Sequence, residues 1–388
     1  MSRRSIAYIS GTRADYELMR GVLDSIQKHP KLELGVIATG MHLSKRYGLT
    51  VRNIEADGFS IVARVGSVAM GRSRCEMAMI LGRTIVKMTN ALSKVWPDII
   101  LVEGDRDEML AGAIVGSHIG IPVAHVSGGD VSGSIDDSIR HAITKLSHIH
   151  FPGTKLSANR IRQMGEEDWR IHMVGTPGID FRLRAIRNKS AEAMKGVRID
   201  SKKRTILVVQ HPVVNEEANA ADQMEETMEA VVNEAEHHMN VVVFVPNSDA
   251  GGEAMRNVVF HYSKLPFVRV CDNIRREQFL SLMSKCSAVV GNSSSGIIEA
   301  PSFGVPVINI GSRQKNRERA GNVIDVGYDR KEISRALSVA LYDREFITRC
   351  GGCKNPYRSR GVGRRIAEIL ARTRIDPRLM QKEFRRFE

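Results

Sequence analysis

The chain alternates two kinds of segment almost throughout, and this rhythm restricts the fold more than any other feature. Short, near-continuous apolar runs rich in β-branched residues are each followed by a stretch with apolar residues at helical spacing. The runs are Ser5–Ser10, Leu32–Ala38, Ser60–Val65, Asp98–Glu103, Pro122–Val126, His148–Phe151 and Arg170–Val174. Cys75–Val95 and Asp107–His118 are the clearest amphipathic stretches between them. Strands apolar on both sides, separated by helices, imply parallel sheets covered on both faces, an α/β class.

A second series follows: Thr205–Gln210, Val241–Pro246, Val268–Cys271, Ala288–Val290 and Val305–Ile310. The charged segment Arg182–Arg204 separates the two. At 388 residues the chain exceeds the size at which one core keeps growing. We therefore expect a first Rossmann-like domain over 1–178 and a second over 179–362, with Gly175-Thr176-Pro177-Gly178 as the hinge. A basic helical segment over 363–388 is expected to pack back on the first domain. Ligands of open α/β sheets bind beyond the carboxyl ends of the strands, so functional residues should lie just after strands, in both halves.

Several classes are excluded. The apolar run before Gly11 is four residues long, too short for a signal-peptide core, and no run approaches the roughly 18 apolar residues of a membrane span. A cytoplasmic protein without a membrane partner is the expectation. Cys350-Gly-Gly-Cys353 lacks the second pair a zinc site needs, and no metal or cofactor is expected. The net charge of +13 sits mostly in peripheral runs such as SKKR and the tail, without a helix-turn-helix, zinc-finger or RNP signature. It suits an anionic small substrate better than nucleic acid.

The strand ends of the first half carry acids beside cations. Gly11-Thr12-Arg13-Ala14-Asp15 opens a helix, where backbone N–H groups and Arg13 can meet a phosphate, although it matches neither GxxxxGK[ST] nor GxGxxG. Thr39-Gly40-Met41-His42 repeats the pattern, making His42 a candidate ligand. Gly104-Asp105-Arg106 sets a carboxylate beside a permanent cation. The stretch HVSGGDVSGSIDDSIRH (125–141) holds Asp130, Asp136, Asp137, Arg140 and His141, with glycines that would let the chain pass close to a ligand. Acids converging from adjacent loops point to acid–base chemistry.

In the second half, Gln210-His211-Pro212, Pro246-Asn247-Ser248-Asp249 and Gly291-Asn292-Ser293-Ser294-Ser295 follow strands. Ser293 and Ser294 at a helix start suit a diphosphate, Glu299 a ribose hydroxyl pair, and Arg313 of Gly311-Ser312-Arg313 adds a cation.

At these residues the sequence resembles the hydrolysing UDP-N-acetylglucosamine 2-epimerases. The matching motifs, in family order over roughly residues 5–330, are GTRADYELMR, TGMHLS, EGDRDEML, GGDVSGSIDDSIRHAITKLSHIHF, QHP, PNSDAGG, GNSSSGIIEAPSFGVPVINIGSRQ and NVIDV. The resemblance implies a glycosyltransferase-B-type pair of Rossmann-like domains with the active site in the interdomain cleft, and a homo-oligomer. It implies elimination of the nucleoside diphosphate to a 2-acetamidoglucal, then hydration to the free 2-epimer of N-acetylmannosamine type. Carried over by motif, Asp105, Asp136 and His211 are catalytic, with Asp130 as a further acid; Arg13, His42, Arg106, Arg140, Asn247, Ser293, Ser294, Glu299 and Arg313 bind substrate. Two departures stand out: Ser127 replaces a glutamate of the pattern HxEGGE, and GSRQKNR replaces GDRQxGR. A non-hydrolysing epimerase, a glycosyltransferase of the same architecture and a non-catalytic sugar-nucleotide sensor are the alternatives.

Overall fold

A computed structural model describes residues 3–385 apart from 67–73, 132–134, 180–195 and positions 237, 248, 273 and 275. Most of the separating segment Arg182–Arg204, and Ser248 of the PNSD motif, thus lie outside the described residues. Among the described residues twelve strands form two parallel sheets of six. The first holds β1 (Arg4–Ser10), β2 (Leu32–Thr39), β3 (Ile61–Val65), β4 (Ile99–Glu103), β5 (Val123–Val126) and β6 (Ile149–Phe151), in the order β3-β2-β1-β4-β5-β6. The second holds β7 (Arg204–Val209), β8 (Met239–Phe244), β9 (Val268–Cys271), β10 (Ala288–Gly291), β11 (Val307–Ile310) and β12 (Val323–Val326), in the order β12-β11-β10-β7-β8-β9. Each sheet reverses direction once, between β1 and β4 and between β7 and β10, and such switch points open a crevice at the carboxyl edge.

Alternation along each strand feeds two cores per sheet. Ile6, Tyr8, Ile99, Leu101, Ala124 and Val126 share one face with Met19, Leu23 and Ile26 of the helix Arg13–Gln27. Ala7, Ile9, Ile100, Val102 and Val123 pack on the other face with Met88, Leu92 and Met109. The helix Val362–Arg372 contributes Val362, Ile366, Ala367 and Leu370 to the first of these cores, so the C-terminal segment is built into the first sheet's packing. Arg170, fully buried, fixes the tail beyond it by donating to the carbonyls of Arg378 and Leu379, each at 2.7 Å.

Two expectations are corrected. Arg170–Val174 is not a strand: Asp168–Arg170 forms a 3₁₀ turn, and only Ile171 makes an isolated parallel bridge, to His150. Arg170 is committed to the tail, which ends the ladder. Conversely Val323–Val326, matched only as the motif NVIDV, is the sheet's edge strand β12.

Candidate active site

At the first switch point the loop after β1 is organised by Asp15. Its carboxylate accepts from Ser10 Oγ (2.5 Å), Tyr8 Oη (3.1 Å), Thr12 N (2.6 Å), Thr12 Oγ1 (2.9 Å) and Gly11 N (3.1 Å). Thr12 and Asp15 form a capping box at the helix start. His42 belongs to this scaffold: it is fully buried, with Nε2 on Ser10 Oγ (2.9 Å) and Nδ1 on Thr50 Oγ1 (2.8 Å), so both ring nitrogens are occupied away from the crevice. Gly40 is required here by its φ of +54° and by the Gly11 carbonyl oxygen, which a Cβ would meet at 2.7 Å. Arg13 is partly buried beside this loop, and desolvation lowers its pKa.

The loop after β4 brings Asp105 against Arg140 of the helix Asp136–Leu146 in a buried ion pair. Burial pushes the Asp105 carboxyl up, but Arg140, Arg317, Arg313 and Arg106 outweigh it and hold the group below its usual range. Arg140 Nε and Nη1 are buried without a hydrogen-bond partner among the described residues, an arrangement that a bound anion or water would satisfy. Arg106 Nε reaches Glu108 at 3.2 Å. Asp107, not singled out as a site residue from the sequence, is raised to about 6 by burial and by Glu108.

In the stretch 125–141, positions 132–134 are outside the described residues. Asp130 is buried and accepts from Ser157 Oγ at 2.5 Å. The two glycines are needed for packing. A Cβ on Gly128 would sit 2.9 Å from His125 Nδ1, and one on Gly129, whose φ is +75°, would meet the Ser157 carbonyl oxygen at 2.2 Å. Ser127 itself is held at φ +62°, the left-handed region a serine seldom occupies, at the end of a strand.

At the second switch point β7 and β10 end in a reciprocal clasp. His211 N donates to Asn292 Oδ1 and Asn292 Nδ2 to the His211 carbonyl, both at 2.8 Å. Gly291 permits it: its φ is +128° and a Cβ would lie 2.3 Å from the Val209 carbonyl oxygen. His211 Nδ1 accepts from Asn247 N at 3.2 Å, which puts the imidazole proton on Nε2. Burial, then Arg313 and Arg106, depress its pKa to about 3, so the ring is a neutral donor. Ser293 caps the helix Ser294–Ile298, and Ser295 Oγ donates to Ser293 Oγ at 2.9 Å. That helix is only five residues long, so hydroxyls and N–H groups count for more here than a macrodipole. Glu299 is buried and paired with Arg276 Nη2 at 2.5 Å.

Residues from the two sheets meet across the crevice. Arg106 Nη1 lies 4.0 Å from Asp249, Arg313 Nη2 3.9 Å from Asp136, and Arg317 Nε donates to the Val131 carbonyl at 3.2 Å. Arg317 and Asp249 were missed as site residues; each follows a β strand, the one signal in the sequence that marks them. Asp105, Arg106, Asp136, Arg140, His211, Asn247 and Arg313 therefore converge on one cationic crevice with an acidic wall. Such a site can neutralise a diphosphate while holding carboxylates against a neutral sugar. Among the described residues no helix is long and apolar enough to cross a membrane.

The UDP-N-acetylglucosamine 2-epimerase family model matches residues 24–371. The UDP-N,N'-diacetylbacillosamine 2-epimerase (hydrolyzing) of Legionella pneumophila is 39% identical over 87% of this chain and 89% of its own. The UDP-N-acetylglucosamine 2-epimerase of Neisseria meningitidis is 34% identical over 87% of each. Among solved structures, a Neisseria meningitidis UDP-GlcNAc 2-epimerase bound to UDP-GlcNAc superposes with a TM-score of 0.79 at 19% identity, covering 95% of this chain and all of that one.

Proposed function

Given that the chain belongs to the UDP-N-acetylglucosamine 2-epimerase family, we propose that it is a hydrolysing epimerase of a UDP-linked 2-acetamido sugar, releasing UDP and the free 2-epimer. Residues 1–178 would supply the proton chemistry, 179–362 would hold the nucleotide, and 363–388 would brace the first domain. The observation that carries the reading is the carboxylate of Asp105, held ionised by arginines from both halves of the molecule at the mouth of the crevice.

Asp105 is the base for the C2 proton, with Asp136 and Asp130 as further acids of the wall. His211 Nε2–H, Arg13, Arg106, Arg140 and Arg313 meet the departing diphosphate; Asn247, Ser293 and Ser294 orient the nucleotide. Elimination leaves a 2-acetamidoglucal, to whose C1 water adds while C2 is reprotonated on the other face. A positioned base for such a proton contributes roughly 10²–10⁴-fold. Glu299 would act indirectly, by fixing Arg276. Work on a nucleotide sugar agrees with a cytoplasmic, homo-oligomeric enzyme.

The substrate is tested with UDP-N,N'-diacetylbacillosamine, UDP-N-acetylglucosamine and their GDP counterparts, scored by nucleotide release without an acceptor. Release from a UDP sugar is the expected outcome. Nucleotide release that waits for an added acceptor would point to a glycosyltransferase instead.

A further inference from the structure

The helix Asp136–Leu146 carries site residues at one end and is tied down at the other. Asp136 opens it toward Arg313, and Arg140, one turn on, makes the buried ion pair with Asp105. Arg140 Nε and Nη1 have no hydrogen-bond partner among the described residues, so the aim of the guanidinium follows the placement of its backbone. At the far end the last four carbonyls lack helical donors, and each has a replacement. The Ile143 carbonyl accepts from Ser147 Oγ (2.7 Å), Thr144 from Ser147 N (3.1 Å) and Leu146 from Ser117 Oγ (2.9 Å). The Lys145 carbonyl accepts from the ammonium of Lys382 (2.6 Å).

Lys382 lies 237 residues away in sequence, in the tail beyond residue 371 where the family match ends. Its three protons have three acceptors: the carbonyls of Lys145 and Ser147, at 2.6 and 2.7 Å, and Glu166 Oε2 at 2.7 Å. Glu166 is 1% exposed; its Oε1 pairs with Lys145 Nζ at 2.5 Å, and His150 Nε2 lies 3.1 Å from Oε2. One buried carboxylate thus joins the last turn of the helix to the tail. The tail is itself anchored, by Leu379 in the first core and by Arg385 N donating to the Gly165 carbonyl at 3.0 Å, besides the bonds from Arg170. A cation at this end also meets the negative pole of the helix.

We propose that Lys382 is a positioning residue for the reaction: it fixes the helix Asp136–Leu146 along its axis and so aims Arg140 at Asp105. The inference rests on the epimerase reading above, with Asp105 as the base. Packing of Ile143 on the sheet and the contact of Thr144 Oγ1 with His125 Nδ1, at 3.1 Å, hold the inner face of the helix, while the cap holds its end. Lys145 is five residues from Arg140, about 7.5 Å along the axis, so a slip at the capped end reaches the guanidinium through a single stiff element. With Arg140 off its aim, Asp105 keeps Arg106, Arg313 and Arg317 on one side and the carboxyl of Glu103 and the ring of His125 on the other. Its affinity for a proton then rises, and the base is lost at a higher pH as pH falls.

The test uses the full-length enzyme with the UDP sugar it turns over, comparing wild type, Lys382→Met, Ser117→Ala and Phe384→Ala across pH. Turnover by the wild type decides the epimerase reading before any variant is read. Lys382→Met should lose roughly tenfold in kcat with UDP affinity unchanged by calorimetry, and the acid limb of its kcat/KM profile should move up by about one pH unit. Ser117→Ala removes a cap at the same helix end without touching the tail, so it should shift the limb in the same direction by less, and it decides the matter if Lys382→Met does not fold. Phe384→Ala loosens the tail, whose ring packs on Gly165, but spares the helix carbonyls, and should leave the limb where it is. A folded Lys382→Met enzyme whose acid limb coincides with the wild type's, or a Ser117→Ala enzyme with no shift, would overturn the positioning role and leave the epimerase reading standing.

Discussion

The carboxyl edges of the two sheets share a topology and differ in chemistry. The first edge carries Asp15, Glu103, Asp105, Asp107, Glu108, Asp130 and Asp136, with arginines holding Asp105 below its usual range. The second carries amides, hydroxyls, a neutral His211 and the cations Arg313 and Arg317. The same strand order thus supports a proton-handling wall and an anion-holding wall, and the contacts across the crevice join one to the other. The lesson is that fold repetition fixes where functional groups sit, while local charge decides what each edge does.

Substitutions that act on one wall should leave the signature of that wall alone. Asp105→Asn is expected to have the largest effect, about a thousandfold in kcat with UDP affinity nearly unchanged, measured by steady-state kinetics and calorimetry. An equal loss of UDP affinity would erase the division between the edges. Arg313→Ala should do the reverse, weakening UDP binding by about ten- to a hundredfold, the worth of one charge-assisted contact. A pure kcat effect there would reassign the arginine to the acidic wall.

Gly291→Ala probes the clasp on which the second edge depends. The new Cβ would press on the Val209 carbonyl at a φ of +128°, and a loss of about 1–3 kcal/mol in stability, read by denaturant unfolding, is expected. A further prediction concerns pH. Burial depresses His125 and His211 to about 3 and His148 to about 4, so below about pH 6.5 the unfolded chain binds protons that the native state refuses. Stability should therefore fall steadily as pH drops from about 6.5 toward 3, as followed by unfolding midpoints across that range. A flat profile there would mean these rings are not sealed as described.

The strands were legible because parallel strands covered on both faces must be apolar throughout. Val323–Val326 escaped notice because it is a short edge strand with Asp325 exposed in the middle. Arg170–Val174 misled because its β-branched pattern suits a strand, yet Arg170 is spent on the tail's carbonyls, 208 and 209 residues away in sequence. Within the site, position after a strand flagged Asp105, Arg106, His211 and Arg313. It could not separate His42, which follows β2 in the same way but turns inward to Ser10 and Thr50. Glu103 was invisible for the opposite reason: it reads as the last residue of a buried strand, and only its burial near Asp15 and Asp105 sets it apart. At the motif glycines 128 and 129 the packing need was not legible: the space a Cβ would take is filled by His125 and Ser157.

The most direct measurement of the central claim is turnover of a UDP-linked 2-acetamido sugar in D₂O, with the products read by NMR and mass spectrometry. The account requires free UDP together with a reducing sugar inverted at C2 and carrying one deuterium there. A released sugar that keeps its original C2 hydrogen, or an epimer still attached to UDP, would contradict it.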